Sequence, residues 1–180
     1  KGVEGITARQ AYLGRWLLLA VMSIVQALIV TVGTLLIGVQ AASALAFVGT
    51  GVLIGLAYLS IIYALSVSFG FVGKGLVVLL VIMQIPGASG LYPIEVMPGF
   101  FRALYNFFPF SYGINALRET LAGFYDGHYW RSMAVLAVYV ALAFALGLFL
   151  RPRLGNLTLL FNRRIADTGL LVSEDVQIAS

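Results

Sequence analysis

Residues 16–73 read WLLLAVMSIVQALIVTVGTLLIGVQAASALAFVGTGVLIGLAYLSIIYALSVSFGFVG, a run without a single charged side chain. About 20 apolar residues suffice to cross the roughly 30 Å hydrocarbon layer of a bilayer. As one helix the run would be about 87 Å long at 1.5 Å per residue, so it must fold back. Its weakest point is Gly38-Val39-Gln40-Ala41-Ala42-Ser43, where small and polar residues can turn the chain at an interface. This places helices at about 16–38 and 43–69. The rest of the chain agrees: of 180 residues, 61% are hydrophobic and 10% charged, and mean hydropathy is +1.01. Soluble domains carry roughly 25% charged residues. The class is all-α, a polytopic helical membrane protein with the lipid bilayer as its first partner.

Working outward, Lys74 between Gly73 and Gly75 marks a return loop, and a third apolar run ends at Pro86-Gly87-Ala88-Ser89-Gly90. The third helix, about 75–90, is therefore short or broken near its far end. The last apolar run, 132–150, is bounded by Arg131 and by Arg151-Pro152-Arg153. Four crossings result, with 1–15 as a cytoplasmic interfacial segment, 16–153 as the membrane domain and 154–180 as a polar tail.

Residues 91–130 differ in texture. They are rich in Pro, Gly and aromatics and carry Glu95, Arg102, Arg118, Glu119 and Asp126, which makes them too polar to span and too apolar for an ordinary loop. Pro93, Pro98 and Pro109 divide the region into short helices near 99–107 and 111–122, with Ser111 as N-cap and Gly123 as stop. Ile114, Leu117 and Leu121 fall on one face of the second, and Ser111, Asn115, Arg118, Glu119 and Ala122 on the other. Irregular backbone at membrane depth is tolerated only when packed in protein or facing water. The region reads as a re-entrant element that lines or caps a cavity. Ionisable groups there are functional candidates by default; the alternative is interfacial charges bonded to each other or to headgroups.

Basic residues near segment ends set orientation. Lys1, Arg9, Arg15, Lys74, Arg151, Arg153, Arg163 and Arg164 share one side, against Arg102, Arg118 and Arg131 on the other. Both ends of the chain are expected in the cytoplasm, and Asn156-Leu-Thr158 then lies inside, where its sequon has no use. The net charge of +4 follows this topology and points to no nucleic-acid partner. A chain with one histidine and no cysteine offers neither a metal site nor a thiol nucleophile, and no acid, base and nucleophile group together. The residues around Lys74 lack the Gly and the Ser or Thr of a phosphate loop. No cofactor and no enzymatic activity are expected. Because it opens on Lys1, the chain reads as a piece of a longer one.

Three further features are structural candidates. Gly51 with Gly55, and Ala143 with Gly147, are small residues four apart that let membrane helices approach closely, within the chain or in a dimer. Arg9, Tyr12, Arg15 and Trp16 form an interfacial stretch suited to a membrane anchor or a cytoplasmic partner. The aromatics at the outer end, from Tyr92 to Trp130, suit an interfacial belt, and His128 a surface position.

The run Pro86-Gly-Ala-Ser-Gly-Leu-Tyr-Pro-Ile-Glu95-Val-Met-Pro98-Gly-Phe-Phe101, followed by Phe108-Pro-Phe-Ser-Tyr112-Gly-Ile-Asn115-Ala-Leu-Arg118-Glu119, resembles the C-terminal membrane domain of the YhgE/Pip (phage infection protein) family, which belongs with type-2 ABC exporter permeases. The resemblance implies a bacterial cell-membrane protein with a six-helix permease fold, of which this chain supplies the last four helices and the re-entrant pair. It further implies a paired or homodimeric permease that exports an unidentified substrate, with residues 6–16 matching the loop where exporter permeases meet a separate cytoplasmic ATPase, while members of this group often look like lone membrane proteins. Candidate path residues are then Glu95, Pro98, Pro109, Tyr112, Asn115, Arg118 and Glu119. The other reading is a phage receptor or secretion-system scaffold whose helices anchor an external domain.

Overall fold

The computed structural model describes residues 7–90 and 92–150, and every element among them is helical. Lys1, Arg151, Arg153, Arg163, Arg164, the sequon at Asn156 and the tail 154–180 lie outside the described residues.

Helix α1, Ala8–Leu36, begins with a reciprocal cap: Thr7 Oγ1 accepts from Gln10 N–H at 3.3 Å, and Gln10 Oε1 accepts from Thr7 N–H at 2.8 Å. Such a box satisfies two orphan donors of the first turn. The helix then runs unbroken past Trp16, so residues 8–15 of the segment expected over 1–15 are continuous with the first apolar run. With the end capped at Thr7 and no proline before residue 36, nothing stops the helix where the charges stop. It ends at Ile37, and Gly38 turns the chain with φ 98°.

Helix α2, Ala44–Gly87, starts at Ser43, whose Oγ accepts from Ala46 N–H at 3.3 Å. Straight, its 44 residues would extend for about 66 Å. It is not straight, because Gly70 has φ 57° and ψ −126°, a conformation open to glycine and not to L side chains. Tyr58 donates its phenol proton to Gln84 Oε1 at 3.0 Å across 26 positions, which a straight helix would hold about 39 Å apart. The buried Gly73 rests on the backbone carbonyl of Leu65. Residues 44–69 and 71–87 are therefore two antiparallel arms. The reversal sits four residues before Lys74 because the backbone geometry requires glycine, and the charge only marks the side.

Helices α3, Gly99–Leu104, α4, Pro109–Ala122, and α5, His128–Ala145, follow, with single 3-10 turns at Ile94–Val96 and Tyr105–Phe107 and a wider π turn at Leu146–Leu150. Among the described residues three helical stretches are long and apolar enough to cross a membrane: Arg9–Leu36, Ala44–Gly87 and His128–Phe149.

Packing fixes directions. Trp16 Nε1 donates to Ser60 Oγ at 3.1 Å and Tyr63 OH to Tyr12 O at 3.2 Å, while Gly51 meets Thr31 and Gly55 meets Ser23. Partners whose numbers fall on one helix as they rise on the other make α1 antiparallel to the first arm of α2. Thr50 bonds Tyr129 at 3.0 Å, and Ala143 sits by Ile61 and Ala64, so α5 runs parallel to that arm. The Gly51 and Gly55 face is thus used inside the chain, where small residues admit close helix approach. Gly147 does the same at the other end, lying under the ring of Tyr12. The described ends consequently meet on one side, with the guanidinium of Arg9 5.6 Å from the Phe149 ring centroid.

Candidate functional site

The region after Gly87 turns back on itself beside the bundle. Gly87 lies directly under the ring of the buried Phe108, so α4 starts at the level where the second arm of α2 stops. Tyr139 OH, 11 positions into α5, donates to Phe107 O at 2.6 Å and fixes the same level. At its other end α4 meets the loop between α1 and α2: Ala42 N–H donates to Leu121 O at 3.3 Å and Ser43 N–H to Thr120 O at 3.4 Å. These bonds occupy carbonyls that a helix end leaves without partners. Helix α4 thus climbs from inside the bundle to the level of the 37–43 loop.

One expectation about α4 is corrected. Ser111 does not cap it; Pro109 occupies the first position, where its fixed φ and missing N–H cost nothing, and Phe108 is the cap residue. Ser111 is instead 1% exposed and donates its hydroxyl to Tyr105 O at 2.8 Å. Ile114, Leu117 and Leu121 are only half-buried. Gly113, Ala116 and Thr120 are buried, and Gly113 faces the Ile54 side chain. Hydrophobic burial does not drive helices together in lipid, and small residues that allow close packing win the interior position.

The same hairpin builds a polar cavity of about 320 Å³ lined by Ser89, Tyr92, Glu95, Tyr105 and Arg118 among others. Arg118 Nη2 donates to Ser89 O at 2.5 Å and Nη1 to Ser89 Oγ at 3.4 Å. Ser89 is 6% exposed and has φ 55°, a left-handed conformation uncommon for residues other than glycine. That turn aims its carbonyl at the guanidinium. Asn115, one turn earlier on α4, donates from Nδ2 to Tyr105 OH at 3.0 Å, and Tyr112 OH donates to Asn106 O at 2.9 Å. Glu95 lies on the rim, exposed. Pro98 precedes α3 as its cap residue.

Glu119 takes a separate direction, accepting from Tyr125 N–H at 3.4 Å. Adjacent residues of a helix do not face each other, so Arg118 and Glu119 are not a pair, and among the described residues no carboxylate bonds the guanidinium. Sequence reasoning passed over Ser89 and Tyr105. The Gly-rich break at 86–90 was legible only as a helix stop, although a serine inside it is also a signal for a side chain to hold the turn.

A family model described as ABC-2 family transporter protein matches residues 3–149. The chain belongs to the ABC-2 transporter family. Over 126 residues it is 28% identical to the protein named "Uncharacterized protein YhgE" of Bacillus subtilis (strain 168), an alignment covering 69% of this chain and 16% of YhgE. The chain therefore spans a small part of the length of that curated relative. No solved structure matches it. The resemblance read from residues 86–119 and the family match agree that this is a YhgE-like ABC-2 membrane domain.

At the opposite end of this ABC-2 domain, the residues expected to meet a cytoplasmic partner divide. Arg9 and Arg15 are exposed. Tyr12 is 2% exposed, stacked 4.8 Å from Tyr63 and laid over Gly147. A ring so enclosed holds α1 against the end of α5 and offers no surface to a partner. At the far end Phe124, Tyr125 and Trp130 are exposed, and His128 stacks on Tyr125 at 6.0 Å.

Proposed function

We propose that this chain is the membrane part of a YhgE-like exporter. It crosses the bilayer four times with both ends cytoplasmic, works as a dimer with a separate ATPase, and gates the outer end of the path with residues 86–123. The observation that carries this reading is the Arg118 clamp on Ser89. The buried Ser89 turn, held at a left-handed φ, aims its carbonyl at the exposed guanidinium of Arg118, and strained backbone of this kind clusters at binding and switch sites.

Topology is directly checkable because the chain has no cysteine. Gln40→Cys should react with a membrane-impermeant maleimide in intact cells, and Lys74→Cys only after permeabilisation. Labelling of both from outside would remove the four-crossing reading.

The partner is tested by purifying the whole protein in mild detergent from its own host and identifying what stays bound. A stoichiometric cytoplasmic ATPase is expected, and Arg15→Glu should lower its recovery about tenfold, the effect of reversing a charge at a contact rim. Recovery of a dimer with envelope components and no ATPase would overturn the exporter reading in favour of a scaffold.

A further inference from the structure

The cavity at Arg118 carries more information than a gate requires, because its two charges are unpaired with each other and separately presented. Arg118 spends two N–H groups on Ser89, and a guanidinium has five, so three remain for a ligand in a fork already fixed in orientation. Planar forks of this kind match the oxygens of phosphate. Tyr105 OH accepts from Asn115 Nδ2, which leaves its own proton to donate toward the same cavity. On the rim stand the carboxylate of Glu95 and the ring of Tyr92. Glu95 has no hydrogen bond or ion pair among the described residues. A carboxylate beside an aromatic ring suits a primary ammonium, which offers three donors and is attracted to the ring face.

We propose that this pocket binds a zwitterionic headgroup in which a phosphate is joined to a primary amine, the phosphate on Arg118 and the amine on Glu95. The inference rests on the reading of residues 86–123 as a re-entrant element at the outer face. A volume of about 320 Å³ is at the small end of ligand sites, which run from about 300 Å³ upward, and suits a headgroup without its chains. The Cα of Arg118 is four residues from the end of α4 that meets the 37–43 loop, about 6 Å along the helix, and its side chain leans back toward the start of α4 to reach Ser89, so the pocket opens just below that loop. This is the depth of lipid headgroups and their glycerol links. Beneath it the second arm of α2 exposes Val78, Ile82 and Ile85, an apolar track for acyl chains.

The whole protein that carries this chain is purified in mild detergent supplemented with equal amounts of phosphatidylethanolamine and phosphatidylglycerol, and retained lipid is counted by native mass spectrometry. Phosphatidylethanolamine should be retained about tenfold over phosphatidylglycerol, as expected for one charge-assisted bond. Glu95→Gln should bring the ratio near one, and Glu95→Lys should invert it, an outcome that misfolding would not produce. Displacement of the lipid by O-phosphoethanolamine but not by inorganic phosphate supports the two-point mode. Binding of O-phosphoethanolamine without lipid retention assigns the same chemistry to a soluble zwitterion. Equal retention of the two lipids by the native protein, an unchanged ratio in Glu95→Lys, or equal displacement by phosphate would overturn the proposal. Retention is read without transport, so a selective pocket in a protein whose gate variants export normally would remove the gating reading alone.

Discussion

Replacing Gly73 by valine is expected to prevent stable assembly of the membrane domain, whereas the same change two residues later at Gly75 should be nearly silent. A β-carbon at Gly73 would enter the backbone carbonyl of Leu65 and come within 3.1 Å of Phe69 Cβ, while one at Gly75 would meet nothing within 4 Å. Side chains can rotate away from an intruder, but the carbonyl of Leu65 is fixed by its own helix. The two arms of α2 must therefore separate near their turn. Separation stretches the Tyr58–Gln84 bond, the polar link that holds the arms together farther along. Overpacking a core with extra methylenes costs about 1–3 kcal/mol; with backbone as the obstacle, more than about 3 kcal/mol is expected, among the large effects of single substitutions. Thermal unfolding of the detergent-purified protein, followed by intrinsic fluorescence from Trp16 and Trp130, is the measurement. Gly75→Val should stay within about 0.5 kcal/mol of the native protein. Equal stability of the two variants would mean that the arms do not pack at Gly73.

How much of this was legible beforehand follows from what each signal measures. Charge-free length is a solvent property of the sequence, and residues 16–73 declared helices that must fold back without any knowledge of packing. The first turn fell at residues 38–43 because small and polar residues cluster there. The second was sought at Lys74, since charge marks a membrane side; the backbone reverses at Gly70, where only φ and ψ decide, and a sequence with Gly70, Gly73 and Gly75 close together does not say which glycine bends. The buried face of α4 was not legible for a related reason. Periodicity ranks side chains by hydrophobicity, but against lipid the apolar side chains Ile114, Leu117 and Leu121 have no need to be inside, and Gly113, Ala116 and Thr120 take the interior by being small. Tyr12 was read as a surface residue from its charged neighbours, and Gly147, which makes room for its ring, is 135 positions away in sequence. At the site, Arg118 and Glu95 stood out as charges in apolar sequence. Ser89 did not, because its part depends on a left-handed φ that composition does not encode.

The Ser89 turn also sets the second large effect. Arg118→Ala should reduce export at least about tenfold while the protein remains abundant and folded. The substitution removes one short hydrogen bond from a charged donor, worth about 1.5–3 kcal/mol, and a weaker one at 3.4 Å, and leaves a buried carbonyl and hydroxyl without partners. Nothing then holds Ser89 in its left-handed conformation, and the hairpin between Gly87 and α4 loses its polar lock while Phe108 over Gly87 and Tyr139 on Phe107 keep its base in place. Damage is thus confined to the outer part of the element. Arg118→Lys should be intermediate, because a single ammonium has no fork to reach both the carbonyl and the hydroxyl. Ser89→Gly separates the contributions: it keeps the carbonyl acceptor, tolerates φ 55° better than serine does, and loses only the longer bond at 3.4 Å. Export near the native rate is expected for it. Glu119→Ala should have a smaller effect than Arg118→Ala, since its carboxylate accepts only one exposed N–H at 3.4 Å. The assay follows the solute that accumulates in cells lacking the protein, with abundance and unfolding temperature measured for each variant. Native export by Arg118→Ala at normal abundance would make the clamp a structural staple and take the gate away from residues 86–123.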